Sequence, residues 1–391
     1  MRAFQNLYPS SISKSFTTTT TAATICRNAA LRQSTPSFAT KQPTARCAPA
    51  RRRNFSVTAA SASSSHKMAT VAGNGGAAGG AWGAWQVEPA KFTKLVADSM
   101  KALYPEEIAD RAWDNVGLLV GNHEQESSQK KPVVLVTNDL TYQVATDAIQ
   151  QGASVIVSYH PFIFSGLKSI TDKDPQQSTL IRLMRAGVAV YCPHTAVDAA
   201  PSGLNTWLAD AVAGPHATTR SVAVPCKTAP ESHAGAGYGA LATFTDGKDS
   251  SSSSGSSSNT GGVTVAEILK RLADKLGGLR HVMVASPVGA DVRTTRVRSY
   301  GVCAGSGYDV LKAADVDLLV VGETSHHSAL RAIQQGRTLV QVFHSNSERS
   351  YLQQVLRPAL EERLRAAVPE ATVVLSEYDK DPFTVIDVTE L

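Results

Sequence analysis

Short runs of Val, Leu and Ile alternate with segments of helical period along most of this chain. "PVVLVTND" (132–139) predicts a buried strand, and "TYQVATDAIQQG" (141–152) predicts a helix closed by Gly152. "ASVIVSYH" (153–160) predicts the next strand, "STLIRLMRAG" (178–187) a helix and "VAVYCPHT" (188–195) another strand. The pattern returns later. "VDLLVVGE" (316–323) and "TLVQVFH" (338–344) predict strands on either side of the helix "HHSALRAIQQG" (326–336), and "NSERSYLQQVLRPALEERLRAA" (346–367) predicts a helix after them. Near-continuous apolar runs bounded by helices mean strands buried on both faces and joined by βαβ crossovers. The predicted fold class is α/β, with mainly parallel or mixed sheets.

Two stretches break the pattern. "VAGNGGAAGGAWGAWQ" (71–86) reads as a Gly/Ala-rich linker, and "DGKDSSSSSGSSSNTGG" (246–262) as a disordered Ser-rich surface loop. The expected organisation is therefore a leader (1–67), a linker (68–87), an N-terminal α/β half (88–245), the Ser-rich insert (246–262) and a C-terminal α/β half (263–391).

Composition changes the picture at the N-terminus. Ten of the chain's 38 Lys and Arg lie in residues 1–67, and no acid precedes Glu88, which leaves 28 basic against 33 acidic residues, a net of −5. An acidic body argues against direct nucleic-acid binding, which calls for a basic face. The acid-free, Arg/Ser/Thr-rich start has the makeup of a mitochondrial transit peptide, with "RRRNFSV" offering a processing point between Phe55 and Ser56. Translation from Met68 would instead give a leaderless, cytoplasmic form. No apolar run is long enough to span a bilayer. The five Cys form no C-x-x-C pair, so any metal must be held by His and carboxylates.

Those residues collect at strand ends, where open α/β sheets bind ligands. His160 closes "VIVSYH", His194 and Asp198 follow "VAVYC", Glu323 closes "DLLVV" ahead of His326 and His327, and His344 closes "LVQVF" ahead of Glu348. Five of the ten His thus fall at such positions. Mixed N/O donors suit Zn, Fe, Mn or Ni in a site with open positions. Each residue also has a plainer reading. Ser345 and Glu348 have capping-box spacing, Asp198 sits in turn chemistry, and His326 and His327 project about 100° apart on a helix. "GVCAGSGYDV" (301–310) could cradle a phosphate, but it lacks the Lys-Ser/Thr of a P-loop.

Six strings in order, "WDNVGLLVG" (113–121), "SYHPFIF" (158–164), "HTAVDAAPSGLN" (194–205), "GVCAGSG" (301–307), "GETSHHSAL" (322–330) and "FHSNSER" (343–349), resemble the Nif-three-like family. Its bacterial members are catalogued as dinuclear metal-centre proteins or GTP cyclohydrolase 1 type 2 homologues, and "SYHP" and "HSNSER" look like its eukaryotic branch. The resemblance covers about residues 88–391. It implies two α/β halves meeting over a metal site, and a ring-shaped hexamer. It also implies metal ligands at His160, Asp198, His344 and Glu348, with His194 and Glu323 orienting them. Tyr159 stands where the family pattern has the first of two adjacent His, so one or two divalent ions per chain are expected. Two functions follow. One is a metal-dependent hydrolase acting on a nucleotide or phosphoester-like small molecule, with His326 or His327 moving protons. The other is a non-enzymatic metal-binding adaptor for a protein partner such as a transcriptional co-activator.

Overall fold

The computed structural model describes residues 90–124, 130–245 and 261–391. The expected leader and linker, and all of the Ser-rich insert except residues 261–262, lie outside the described residues.

Two mixed sheets carry the fold. In the first, β1 (Gly117–Val120), β2 (Val133–Thr137), β3 (Val155–Ser158), β4 (Ala189–Cys192) and β13 (Thr372–Leu375) lie in the order β1-β4-β3-β2-β13. All but β1 run parallel. The second is built from β5 (Thr218–Pro225), β6 (Gly237–Phe244), β8 (Met283–Ala285), β10 (Ser299–Cys303), β11 (Leu318–Val321) and β12 (Thr338–Gln341), in the order β5-β6-β10-β11-β12-β8. Its centre, β10-β11-β12, is parallel, and antiparallel strands flank it on both sides. A short pair, β7 (Val263–Thr264) and β9 (Arg296–Val297), stands apart.

The central strands are apolar throughout because both faces are covered. In β2, Val134 and Val136 enter one core while Val133 and Leu135 enter another, as the two-residue period of a strand requires. In β11, Leu318 and Val320 face the same central core as Val134, and Leu319 and Val321 face a third. The central core thus lies between the sheets. It takes side chains from α1 (Lys91–Leu103), α4 (His194–Ala199), α5 (Leu204–Ala213), α6 (Val265–Lys275) and α10 (Arg357–Ala367). Helices α2 (Tyr142–Gln150) and α3 (Pro175–Arg185) cover the outer face of the first sheet. Helices α7 (Tyr308–Leu311) and α8 (His326–Gln334) cover that of the second.

The chain does not divide where its composition does. Strands β5 and β6 precede the Ser-rich segment yet belong to the second sheet, and β13 follows it yet belongs to the first. Strand pairing therefore crosses the boundary between the expected halves 88–245 and 263–391. Low complexity marks only a stretch of sequence between β6 and β7, whereas sheet membership follows pairing: β6 matches β10 from Ser299↔Thr243 to Val302↔Ala240. The long predicted helix after β12 also has internal structure. It starts as α9 (Asn346–Tyr351), widens into a π turn over Leu352–Leu356 and continues as α10. Pro358 lacks the N–H that a regular helix would need there, and the wider turn accommodates it.

Among the described residues no helix is long and apolar enough to cross a membrane. Leu319 is wholly buried in the middle of the second sheet. Leu319→Ala is expected to cost about 2–5 kcal/mol in urea unfolding, with little change in the denaturant slope.

Candidate metal centre

The parallel strands of both sheets end at one place. Beyond β3 the ladder to β2 continues through Tyr159 N–H to the Thr137 carbonyl (2.9 Å) and His160 N–H to the Asn138 carbonyl (3.0 Å), which places His160 just past the C-terminal end of this central strand. On the second sheet, Val342 N–H reaches the Val321 carbonyl (3.1 Å), and the chain then turns sharply at Phe343, φ +70°. That left-handed turn at a bulky residue costs roughly 1–2 kcal/mol and aims the next residue, His344, inward. Glu348 follows in α9 and is 2% exposed.

His160 Nε2 and His344 Nε2 lie 3.3 Å apart. Glu348 brings Oε2 to 3.5 Å from the first and Oε1 to 3.3 Å from the second. Among the described residues this is the group of His, Cys, Asp or Glu whose donor atoms all fall within 4.8 Å of one another. Each ring is fixed from behind, His160 Nδ1 by Asp139 Oδ1 (2.9 Å) and His344 Nδ1 by Glu323 Oε1 (3.0 Å). A carboxylate only accepts, so each Nδ1 donates outward, and it is Nε2 of each ring that faces the centre and can offer a lone pair once unprotonated. Asn138 Nδ2 donates to Glu348 Oε2 at 3.1 Å. Burial disfavours a charged His160, but the hydrogen bonds and charges of Asp139 and Glu348 outweigh it and push its pKa up to about 10. Burial likewise works against the Asp139 charge, and His160 still holds that carboxyl below its usual range. Two imidazoles and a carboxylate converging this closely fit a divalent ion with room for further ligands.

The capping box is not formed. Ser345 makes no side-chain cap to its helix, and its hydroxyl donates to Asp381 Oδ2 at 2.7 Å. The Glu348 carboxylate turns into the core instead of back to the helix start. The glycine-rich turn after β10 has a related task. Gly305 N–H donates to Ser347 Oγ and Ala304 N–H to Asn205 Oδ1, both at 2.9 Å, so side chains of the protein take up those amides. Gly305 adopts φ +59°, and a Cβ there would lie 2.9 Å from Glu348 Oε1 and 3.3 Å from His344 Nε2.

His344 lines two cavities. One, of about 670 Å³, is also bounded by His160, Glu323, Phe343 and Phe383. The other, of about 270 Å³, is shared by Glu348, Tyr159, Asp198, His194 and Trp113. In the second, the Tyr159 hydroxyl donates to Asp198 Oδ1 at 2.6 Å. Burial and the nearby carboxylates keep this phenol far above its ordinary pKa, and so neutral. Burial lifts Asp198 to about 6, even though His194 and the phenol oppose it. His194, itself at φ +27°, has Nδ1 2.7 Å from Asp114 Oδ1, and Thr195 N–H and hydroxyl donate to Asp114 Oδ2.

Of the residues singled out in the sequence, His160, His344 and Glu348 therefore come together, and Asp198 lies beside them on Tyr159. His326 and His327 do not join them. They are exposed at the start of α8, ring against ring, and neither lines either cavity. Sequence reading missed Asp139, Asn138 and Asp114. Asp139 ends the apolar run "VVLVTND" just as Glu323 ends "DLLVV", so the same strand-end rule would have found it.

Residues 93–382 match the family described as Duf34/NIF3 (NGG1p interacting factor 3). The Schizosaccharomyces pombe "Protein NIF3 homolog" is 38% identical over 73% of this chain and 95% of its own length. The Saccharomyces cerevisiae "NGG1-interacting factor 3" is 36% identical over 76% and 97%. A solved Bacillus cereus protein related to NIF3 shares the fold, with a TM-score of 0.56 at 18% identity, over 75% of this chain and 99% of that one.

Gly305→Ala is expected to lose about 1–3 kcal/mol in chemical unfolding. Gly289→Ala, also at positive φ but with nothing within 4 Å of the added carbon, isolates the backbone cost. The difference between the two measures the crowding at Glu348.

Proposed function

This chain belongs to the Duf34/NIF3 family, and from that premise we propose that it binds a divalent metal ion and hydrolyses a small nucleotide or phosphoester. The observation that carries this reading is the convergence of His160, His344 and Glu348, each held from outside by a further side chain. A bound divalent ion supplies Lewis acidity at a scissile bond and acidifies water.

The chain's own residues do the rest. Asp139 and Glu323 hold the two rings with Nε2 inward, and Asn138 fixes the Glu348 carboxylate. Asp114 keeps the proton on His194 Nδ1, which leaves Nε2 as the acceptor on the cavity shared with Asp198 and Glu348. Proton transfer therefore falls to His194 and not to the exposed pair His326 and His327. Tyr159 occupies Asp198 with a neutral phenol, a poor metal ligand, and this favours one ion per chain over two.

A protein-partner role is the second reading. It is supported by the name of the yeast relative, an NGG1-interacting factor. Partner binding that survives Glu348→Ala would separate that role from the metal.

Elemental analysis of the purified chain is expected to find one metal per chain, lost in His344→Ala and Glu348→Ala. Tyr159→His should raise the count towards two. Two metals in the unmodified chain would remove the role given to Tyr159, and none would remove the proposal. Metal must also displace the proton that His160 holds below about pH 10. Affinity should therefore climb as pH rises, by about tenfold per unit between pH 7 and 9, and calorimetry in buffers of different ionisation enthalpy should count about one proton released.

A further inference from the structure

Beyond β13 the chain leaves the edge of the first sheet and runs without regular structure to the wall of the 670 Å³ cavity. It is tied down on the way. Ser376 Oγ donates to Asp147 Oδ2 at 2.7 Å. Asp379 Oδ2 accepts the Asn138 N–H at 2.7 Å, and its Oδ1 lies 3.3 Å from Arg349 Nε, with only 7% of the Asp379 side chain exposed. Asp381 Oδ2 accepts the Ser345 hydroxyl at 2.7 Å, while its Oδ1 accepts the Phe383 N–H at 2.8 Å.

The Asp379 and Asp381 anchors each adjoin a member of the metal centre. Asn138 precedes Asp139, which fixes His160, and itself bonds to Glu348. Arg349 follows Glu348, and Ser345 follows His344. Two carboxylates on one segment thus grip two stretches from different sheets, the turn after β2 and the β12–α9 junction. Past them, Pro382–Val385 wall the 670 Å³ cavity onto which His160 and His344 open.

We propose that Ser376–Val385 is a positioning strap of the metal centre. Asp379 and Asp381 hold the Asn138–Asp139 turn, which fixes His160, and the stretch bearing His344 and Glu348 at the spacing an ion requires. The inference rests on the metal-binding reading above. Its physical basis is pre-organisation: ligands on separate loops must otherwise be ordered when the ion arrives, which weakens binding. Hydrogen-bond partners behind metal ligands typically matter by about 10–100-fold in affinity.

The test is calorimetric titration of the full chain with Zn²⁺, alongside thermal unfolding of each variant. Asp379→Ala and Asp381→Ala are expected to bind Zn²⁺ at least about tenfold more weakly at unchanged stoichiometry. Asp379→Asn, whose amide oxygen can still accept the Asn138 N–H, should recover most of that loss. Asp387→Ala, in the exposed tail and hydrogen-bonded to Thr389, should match the unmodified chain. If Asp379→Ala does not fold, Asp381→Ala, which removes only the bonds from the Ser345 hydroxyl and the Phe383 N–H, decides the matter. Unmodified affinity in Asp379→Ala and Asp381→Ala, or an equal loss in Asp387→Ala, overturns the strap while leaving the metal site standing. An unmodified chain that takes up no Zn²⁺ overturns both.

Discussion

The architecture turns on one electrostatic problem: the lone pairs of two imidazoles and a carboxylate are aimed at a single point. His160 Nε2, His344 Nε2 and Glu348 sit within 3.3–3.5 Å of one another. Left to themselves, such donors would repel or pick up a proton, and His160 does hold one tightly. Carboxylates behind each ring keep the arrangement from relaxing. An unfavourable meeting of acceptors of this kind is what a cation would relieve.

Much of the surrounding structure can be understood as the means of holding that meeting. The parallel strands β2, β3 and β4 of one sheet and β10, β11 and β12 of the other end at a shared edge, so residues far apart in the chain become neighbours. Phe343 and His194 are the non-glycine residues with positive φ among the described residues, and both lie at the site. Strain of this kind persists only where packing over-determines the backbone. Gly305 gives up its side chain for the same purpose, leaving room for Glu348 and His344. The C-terminal segment then crosses from the first sheet and ties the loops together.

The second cavity separates two kinds of chemistry. On one side Tyr159 and Asp198 form a short hydrogen bond with the phenol neutral. On the other, Asp114 and His194 form an acid–imidazole pair whose free nitrogen is available for proton transfer. Tyr159 thus ties the environment of Asp198 to that of Glu348, whose charge also bears on the phenol.

The amino-acid sequence by itself determined the local elements and the chemistry available at their ends. Apolar runs buried on both faces had to be central strands, and the helices closed at Gly152 and Gly336 as their left-handed conformations allow. His160, His344 and Glu348 were legible because strand ends and a six-motif resemblance pointed to the same residues. Tertiary structure alone decided which strands pair, and so placed β5, β6 and β13 across the boundary that composition suggested. It also decided between the two readings of Glu348: whether a carboxylate caps its helix or faces two histidines depends on what is packed against it. Local sequence encodes periodicity over a few residues, but a contact such as Asn138 with Glu348 spans 210 positions, and only packing brings such residues within reach.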